Sequence, residues 1–401
     1  MTAIEDNSRM APVLLTRNLL GDVNRSRIVQ AFCDHGPLSR ADLARLAGVP
    51  RATIGAIVQT LLDDGLLDEQ EPDHSGRVGK PARPLWFGRE AGRTAAVVFE
   101  TDAVRAALVN ARGDRLADAA VDISVGDATP SKLAKAVVRA VEGVLPRRGR
   151  DRLLGVGLAV PGVCDTAAGV VVASGQIPGA EGDGLTRAVA DAVDLPVLVD
   201  NDARVQALGE KWFGDGRGVP TFASVQTGVG LGVGLVLGGH LYRGDDGRTG
   251  ELGHMGVVPD GELCRCGLSG CWETIATLGW LRREARALDL PGAARLDSAT
   301  LVALAASGHE GARRLLERYA DNLAVGLSAL VNLLGAKHLL VHGDVVSGGE
   351  TLRAAIESAT RQRSLGYLRD DISVRLSALD ADAGLLGAAG LVLSETFTLT
   401  V

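Results

Sequence analysis

One histidine and three cysteines form an ordered cluster in a glycine-containing segment of the chain. His254, Cys264, Cys266 and Cys271 follow the pattern H-x9-C-x-C-G-x2-G-C. Three thiolates and one imidazole make a complete tetrahedral ligand set for structural zinc, and the two glycines allow the loop to fold back tightly. The alternatives are a chance cluster of reduced cysteines and a transient disulfide. Scattered cysteines rarely fall into so regular an array, so the sequence predicts a structural zinc site.

Two carboxylates flank this cluster. Glu251 precedes His254 by three residues, and Glu273 follows Cys271 by two. A zinc-bound loop would hold both carboxylates near the imidazole, whose second ring nitrogen remains a hydrogen-bond donor. Such a set suits a ligand with many hydroxyl groups, because each hydroxyl needs an acceptor. The segment therefore predicts a carbohydrate-binding site.

The same segment resembles the signature of the ROK family (repressor, open reading frame, kinase), whose members bind sugars. The resemblance implies that His254 serves zinc and sugar together, and that Glu251 and Glu273 contact sugar hydroxyls. It also implies an α/β chain with the two-lobed, actin-like (ribonuclease H-like) fold of sugar kinases, in which the ligand cleft lies between the lobes. Zinc, held by His254 and the three cysteines, is the implied cofactor.

The composition limits the number of domains and the kind of partner. A length of 401 residues predicts two or three domains. The net charge of −7 argues against a globally basic surface, so any contact with DNA must come from a local patch. The cysteine pattern and the lack of an apolar signal segment near the N-terminus predict a cytoplasmic protein. The uncharged run Thr221–Tyr242 is too rich in glycine for a membrane span, and predicts two buried strands around a turn.

The first part of the chain has the spacing of a helix-turn-helix. Helices are predicted at Asn24–Phe32, after a capping Ser39, and at Arg51–Asp63, with a turn at Gly48. Burial of one stripe of the third helix would leave short or hydrogen-bonding side chains facing outward, of the kind that reach base edges. The alternative is an ordinary three-helix bundle with a polar outer face. The predicted buried stripe is Ile54, Ile57, Val58 and Leu61, the inward residues of the second helix are Leu43, Ala44 and Leu46, and the candidate DNA contacts are Arg51, Thr53, Ala56 and Gln59.

A basic segment after the third helix predicts a wing. Gly65–Glu69 reads as a strand, and the Gly- and Pro-rich stretch that follows ends in a second one. Arg77, Lys80 and Arg83 are candidate contacts to phosphates or to the minor groove. The alternative is a solvated, charged linker. The layout resembles the winged-helix domain of ROK repressors, which simple sugar kinases of the family lack.

The remainder alternates short apolar runs with helical periods, which predicts α/β lobes. The predicted linker is Trp86–Thr94, and one predicted helix is Trp272–Leu288. The predicted domains are a winged helix at 1–88, a first lobe at 89–200 to which a C-terminal helix at 381–401 returns, and a second lobe at 201–380.

Asn201 and Asp202 follow a predicted buried strand and open a helix. By resemblance both contact sugar, and Asp202 occupies the position of the general base in the family's kinases. An N-cap would explain the pair equally well in isolation, but the zinc segment points to the same pocket. Gln176 stands where the family pattern has a sugar-contacting asparagine, and Ala180 where it often has a tryptophan.

The nucleotide side of the family pattern is altered. Phosphoryl transfer needs glycine-rich turns and an aspartate that places Mg²⁺. Val98 stands at the aspartate position, Glu100 at a glycine, and Gly343-Asp344 where two glycines are expected. A glutamate would repel a triphosphate, and a valine cannot bind metal. These changes predict a cleft that has kept the sugar and lost the nucleotide.

The sequence therefore predicts a DNA-binding transcriptional regulator, a repressor of carbohydrate metabolism, that senses a sugar or sugar phosphate without phosphorylating it. Its expected partners are a palindromic operator and further copies of the chain, in a homodimer or tetramer. The alternative is an ATP-dependent sugar kinase with an added DNA-binding domain. A zinc hydrolase is disfavoured, because four protein ligands leave the metal no open position.

Overall fold

The computed structural model describes residues 17–71, 83–149, 153–245, 247 and 250–397. The candidate DNA contacts Arg77 and Lys80 lie outside these ranges. The chain begins with three helices, and Ser39 and Asp42 form the predicted capping box: Asp42 N donates to Ser39 Oγ at 3.2 Å, and Ser39 N to the Asp42 carboxylate at 3.1 Å. Gly48 makes the turn with a left-handed φ of 63°. The helices are α1 Arg17–His35, α2 Arg40–Ala47 and α3 Arg51–Asp63.

The predicted stripe of α3 lies in the core of this bundle, with Ile57 only half-buried. The expectation for Leu46 was wrong: its side chain is 53% exposed and borders an open groove between α1 and α3. Two strands, β1 Leu67–Glu69 and β2 Leu85–Phe87, pair antiparallel as the base of the wing. The predicted linker, Trp86–Thr94, therefore starts too early, because Trp86 and Phe87 belong to β2 and Phe87 is buried.

The first five-stranded sheet has the order β5-β4-β3-β6-β9. Its first three strands run antiparallel, and β6 and β9 then add in parallel. Small residues dominate the sheet, and its core contains mainly Val, Leu and Ala. A small hairpin of β7 and β8 follows β6. The elements are β3 Arg93–Phe99, β4 Ala103–Val109, β5 Arg115–Asp122, α4 Pro130–Val144, β6 Leu153–Val160, β7 Val163–Asp165, β8 Val170–Ala173, α5 Gly184–Val193, β9 Val197–Asn201 and α6 Asp202–Phe213.

The second sheet repeats this plan in the order β12-β11-β10-β13-β14, with the same antiparallel and parallel pairings. The duplication is visible in the topology, although the sequence does not reveal it. The predicted strand pair within Thr221–Tyr242 is confirmed. The elements are β10 Phe222–Thr227, β11 Gly232–Leu237, β12 His240–Leu241, α7 Leu278–Ala287, α8 Ser298–Ala306, α9 Glu310–Leu334, β13 His338–Gly343, α10 Asp344–Ser347, α11 Gly349–Arg363, β14 Ser373–Leu376 and α12 Ala383–Phe397.

The predicted helix Trp272–Leu288 is divided in the structure. Trp272–Thr274 is a short 3₁₀ turn, and α7 starts at Leu278 after an extended Thr277. The interruption follows from the burial of Trp272, whose indole nitrogen donates to the Asn322 carbonyl at 2.8 Å. That anchor holds the turn against α9 and separates it from the helix that follows.

The last helix, α12, returns to the first sheet and packs beside α6. Glycines make this packing close: a methyl group at Gly387 would overlap the Val205 carbonyl, and one at Gly157 would overlap the Ala388 carbonyl. The ends of α6 and α12 then meet the winged helix in one apolar cluster, in which Trp212 and Phe32 are buried. No helix in the described ranges has the length and apolarity needed to span a membrane.

Candidate sugar and metal site

The four predicted zinc ligands converge. The ligand atoms of His254, Cys264, Cys266 and Cys271 all lie within 4.8 Å of one another. His254 Nδ1 is 3.5 Å from Cys264 Sγ, and the sulfurs of Cys266 and Cys271 are 3.6 Å apart. A tetrahedral zinc at its usual bond lengths would place N and S about 3.5 Å apart and two sulfurs about 3.8 Å apart. The donor set and its spacing therefore fit zinc.

Backbone hydrogen bonds shape the loop that carries the cysteines. Cys264 N donates to the Leu268 carbonyl at 2.7 Å, and Gly267 N to the Cys264 carbonyl at 2.9 Å. Gly270 has a left-handed φ of 71°, and a methyl group there would overlap the Val258 carbonyl. The loop therefore needs glycine where the sequence has it.

A cleft of about 910 Å³ opens between the two sheets. It lies at the carboxyl ends of β6, β9, β10 and β13, the edge at which α/β sheets bind ligands. The loop that carries the cysteines lines one side, and the turn after β6 lines another. All the predicted sugar contacts line this one cleft: Gln176, Asn201, Asp202, Glu251, His254 and Glu273.

The start of α6 combines a cap with a carboxylate in the cleft. Asn201 Oδ1 accepts from Arg204 N at 3.1 Å, so the N-cap expected as an alternative is present. Its amide nitrogen donates to the Gly162 carbonyl at 2.9 Å, which ties β9 to the turn after β6. Burial, reinforced by the nearby Glu251 carboxylate, raises the pKa of Asp202 to about 6.

A buried ion cluster beneath this edge was not expected from the sequence. Asp200 is fully buried and receives Arg204 Nη2 at 2.8 Å and Arg243 Nε at 2.7 Å. Arg204 also donates to the carbonyls of Gly247 and Cys164. The signal available in the sequence was the i,i+4 spacing of Asp200 and Arg204, which predicts an ion pair at the start of a helix.

Arg265, between two of the cysteines, is a second residue that sequence reasoning missed. It lines the cleft, and its Nε lies 3.0 Å from Glu273 Oε1. The guanidinium therefore balances one of the two glutamates beside the His/Cys cluster. Among the described residues that line the cleft, no Lys or second Arg accompanies Asp202 and Glu251.

A side cavity of about 350 Å³ adjoins the cleft where the family pattern places nucleotide phosphates. Val98, Phe99 and Glu100 line it, together with Asp380. Glu100 pairs with Arg105 at 2.8 Å. Asp380 accepts from Gly343 N at 3.2 Å, so that peptide N–H is not free for a phosphate. The carboxylate of Asp344, expected to repel a nucleotide, instead accepts from the backbone and hydroxyl of Ser298.

The predicted DNA-contacting face of α3 is open to solvent. Arg51, Thr53, Ala56 and Gln59 are all exposed, and the Gln59 amide donates to Asp63 at 2.9 Å. Arg83 is also exposed and lies 3.3 Å from Glu69 on β1. It therefore stands beside the wing base, in an ion pair.

Comparison with known proteins follows the same division of the chain. The model of the ROK family matches residues 95–395. The chain belongs to the ROK family. A MarR family model matches residues 22–78, which contain most of α1 and all of α2 and α3. The chain thus joins a ROK domain to a MarR-type winged helix.

Relatives of this ROK protein include regulators and kinases. The xylose repressor of Bacillus subtilis is 23% identical over 93% of this chain and 95% of its own. The structure of a ROK family transcriptional regulator, a homologue of the Escherichia coli MLC protein, has a TM-score of 0.76 and 26% identity over 94% of this chain and 99% of its own. A ROK glucokinase from Streptomyces griseus, solved with glucose and AMPPNP, has a TM-score of 0.64 and 30% identity over 75% of this chain and 98% of its own.

Proposed function

We propose that this ROK protein is a transcriptional repressor of carbohydrate metabolism that binds a sugar and does not phosphorylate it. The observation that carries the proposal is the exposed polar face of α3 in the same chain as a carboxylate-lined cleft. The similar xylose repressor spans nearly the whole chain, including the winged helix. The expected site of action is the bacterial cytoplasm, on DNA.

The nucleotide half of the cleft supports sensing in preference to catalysis. A kinase needs a carboxylate for Mg²⁺ and free N–H groups for the phosphates. Val98 offers no ligand, Glu100 adds a negative charge, and Gly343 N is already bonded to Asp380. Asp202 is retained for hydrogen bonding to a hydroxyl. Release of ADP in the presence of a sugar at more than about 1 s⁻¹ would instead favour the kinase.

Sugar contacts are assigned by chemistry. Asn201, Asp202, Glu251 and Glu273 supply acceptors, and Gln176 supplies an amide at the mouth of the cleft. His254 turns Nδ1 towards the sulfurs, which leaves Nε2 for a hydroxyl. Zinc held by His254, Cys264, Cys266 and Cys271 would fix the imidazole and the loop, and would leave no open position for chemistry.

Replacement of one zinc ligand tests the structural role of the metal. Cys264→Ser should lower the zinc content of the purified protein and its melting temperature, because structural zinc contributes folding energy directly. Cys33→Ser, in the winged-helix core, is the matched control and should leave the zinc content unchanged. Full zinc content together with unchanged melting in the Cys264 variant would contradict a structural site.

The DNA-binding half is proposed to act as a two-fold dimer. Symmetric winged helices read half-sites about 34 Å apart, or a multiple of that distance, so a change in their separation weakens binding. Sugar binding would shift the population between two arrangements of the lobes. Arg51, Thr53, Ala56 and Gln59 would read bases, and Arg77, Lys80 and Arg83 would contact the backbone.

The deciding experiment measures DNA affinity with and without sugar. Genomic fragments selected by the protein would be titrated by fluorescence anisotropy, with xylose, glucose and their phosphates as effectors. Gln59→Ala should weaken the selected site by about 1–3 kcal/mol without changing sugar affinity, and Glu251→Gln should abolish the response to sugar while leaving DNA affinity intact. Operator binding that ignores every sugar, or no selection of a specific site, would contradict the proposal.

A further inference from the structure

The side cavity adjoins the sugar cleft. Pro161, Asp202, Gln226 and Gly343 line both spaces, so the two meet at these four residues. The cleft has a volume of about 910 Å³ and the side cavity one of about 350 Å³. Pockets for drug-sized ligands, which are much larger than a monosaccharide, span about 300–1,000 Å³. The two spaces together are therefore larger than one monosaccharide needs. A ligand bound at Asp202 can therefore extend beyond it.

The charge of the side cavity disfavours an anionic group. Three carboxylates line it, from Glu100, Asp202 and Asp380, and none of the described residues that line it is a Lys or an Arg. Arg105 lies beside Glu100, in an ion pair. A phosphate carries close to two negative charges at neutral pH, and these carboxylates would repel it. A phosphate ester on the hydroxyl nearest Asp202 would enter this space.

The polar groups of the side cavity instead suit hydroxyls. Gln206 lies one helical turn after Asp202 on α6, and its Oε1 is buried with no hydrogen-bond partner. Buried acceptors are normally satisfied, and a hydroxyl group would donate to this oxygen. Gln226 adds a second amide at the boundary with the cleft.

A metal ion is a poorer occupant. Over the ranges that the structure describes, the only convergence of three or more His, Cys, Asp or Glu ligand atoms is the zinc cluster. The carboxylates of Glu100, Asp202 and Asp380 are therefore too dispersed to bind one cation together. The space between them accommodates an organic group.

We propose that the effector is an unphosphorylated carbohydrate longer than one ring, with its first unit at Asn201, Glu251 and His254 and its second unit in the side cavity beside Gln206. The inference rests on the proposed function, because it specifies the ligand of the same cleft. It turns the lost nucleotide site into a second sugar subsite, and it excludes esters of phosphate at the hydroxyl that faces Asp202.

Calorimetric titration of the zinc-loaded full chain tests this proposal with matched probes. One set is glucose, glucose 6-phosphate and the 6-linked disaccharides isomaltose and gentiobiose; a second is xylose and xylobiose. In the set that binds, the disaccharide should bind at least about tenfold more tightly than the monosaccharide, and the phosphate ester at least about tenfold more weakly. A phosphate ester that binds more tightly than its parent sugar would overturn the proposal, as would a disaccharide that gains nothing.

Two variants locate the effect. Ala381 is an exposed residue on the rim of the side cavity, and Ala381→Phe should reduce disaccharide affinity at least about tenfold more than monosaccharide affinity. Ala354→Phe, an exposed substitution on α11 away from the cleft, is the matched control and should change neither. Equal effects of both variants on the two ligands would place the second unit elsewhere.

The two proposals fail in different ways. If no probe binds and none alters DNA affinity, sugar sensing itself fails and the subsite fails with it. If probes bind and regulate DNA, but phosphate esters are preferred, only the subsite proposal falls. Glu100→Gln gives an independent reading, since it should raise affinity for glucose 6-phosphate relative to glucose.

Discussion

The charged carboxylate of Asp202 lowers the stability of the folded state. Its carboxylate lies at the first position of α6, where the helix dipole favours negative charge, yet burial and Glu251 raise its pKa to about 6. An aspartate in an unfolded chain has a pKa of about 3.9. The folded state therefore binds the proton of Asp202 more tightly than the unfolded state does. This tighter binding adds to the free energy of unfolding in full below about pH 4, and the addition is lost as the pH rises through about 6.

Asp202→Asn should therefore stabilise the protein at neutral pH. The neutral amide removes the cost of the buried charge, and because the carboxylate also faces the open cleft we expect a gain of about 1–2 kcal/mol at pH 7.5 that disappears near pH 4. Urea unfolding at both pH values measures it. Asp297 has a pKa lowered by its bond to Thr300, so Asp297→Asn should give no gain at pH 7.5. A stability difference independent of pH would contradict the assignment.

At the scale of elements, the pairing of α6 with α12 depends on glycine. Gly387 faces the Val205 carbonyl without room for a methyl group, and Gly209 faces the Ala383 carbonyl in the same way. Two helices approach so closely only where side chains are absent. The contact fixes α12 against the first sheet and gives α6 a rigid support along its length.

Gly387→Ala should destabilise the fold by about 1–3 kcal/mol, the usual cost of overpacking. The matched control is Gly55→Ala in α3, where a methyl group meets no atom within 4 Å; there alanine should stabilise by about 0.5–1 kcal/mol, because glycine loses more conformational entropy on folding. Denaturant unfolding measures both. A neutral Gly387 variant would mean that the two helices can separate at little cost.

The sequence predicted those elements whose patterns are local. Helix α3 matched its predicted bounds because its apolar stripe and the Gly48 turn define it, and α6 begins where the cap at Asn201 predicts. Strand β5 went unpredicted because it lies at a sheet edge, where Arg115, Asp118 and Asp122 interrupt its apolar residues. The break after Trp272 depends on a distant hydrogen bond to Asn322, which no local pattern contains.

The site was predictable to the extent that its residues form motifs. The cluster of His254 and three cysteines and the six cleft residues come from such motifs or from the family pattern, and the structure brings them together. Other features of the site arise only where separate elements come together. They are the pair of Arg265 with Glu273, the buried ion cluster of Asp200 with Arg204 and Arg243, and the unpartnered Oε1 of Gln206. Their roles depend on distances that only the folded chain defines.

At the scale of the whole molecule, α6 connects the two functions. Its first residue, Asp202, faces the sugar cleft, and its last turn contains Trp212 and Phe213, which pack against the winged helix. Twelve residues of helix span about 18 Å. Arg217, just beyond, donates to the Trp212 carbonyl at 2.7 Å and stacks on Trp86 of β2, 5.5 Å from the ring centre. A displacement of α6 by ligand would reach the wing through these contacts.

Arg217→Ala should therefore reduce the coupling between sugar and DNA more than it reduces either affinity alone. The coupling free energy between two sites is typically about 1–3 kcal/mol. Loss of one cation–π contact should lower this coupling energy by about 0.5–1 kcal/mol. The measurement is the sugar-induced change of operator affinity, which should become smaller. Arg318 stacks on Trp280 at 5.4 Å in the second lobe, so Arg318→Ala removes an equivalent contact outside the winged-helix interface and should leave the coupling intact. If Arg217→Ala and Arg318→Ala left the same coupling between sugar and DNA, the signal would not pass through the junction of α6 with β2. Lobe closure would then act on the DNA-binding domains by another route, such as the dimer interface.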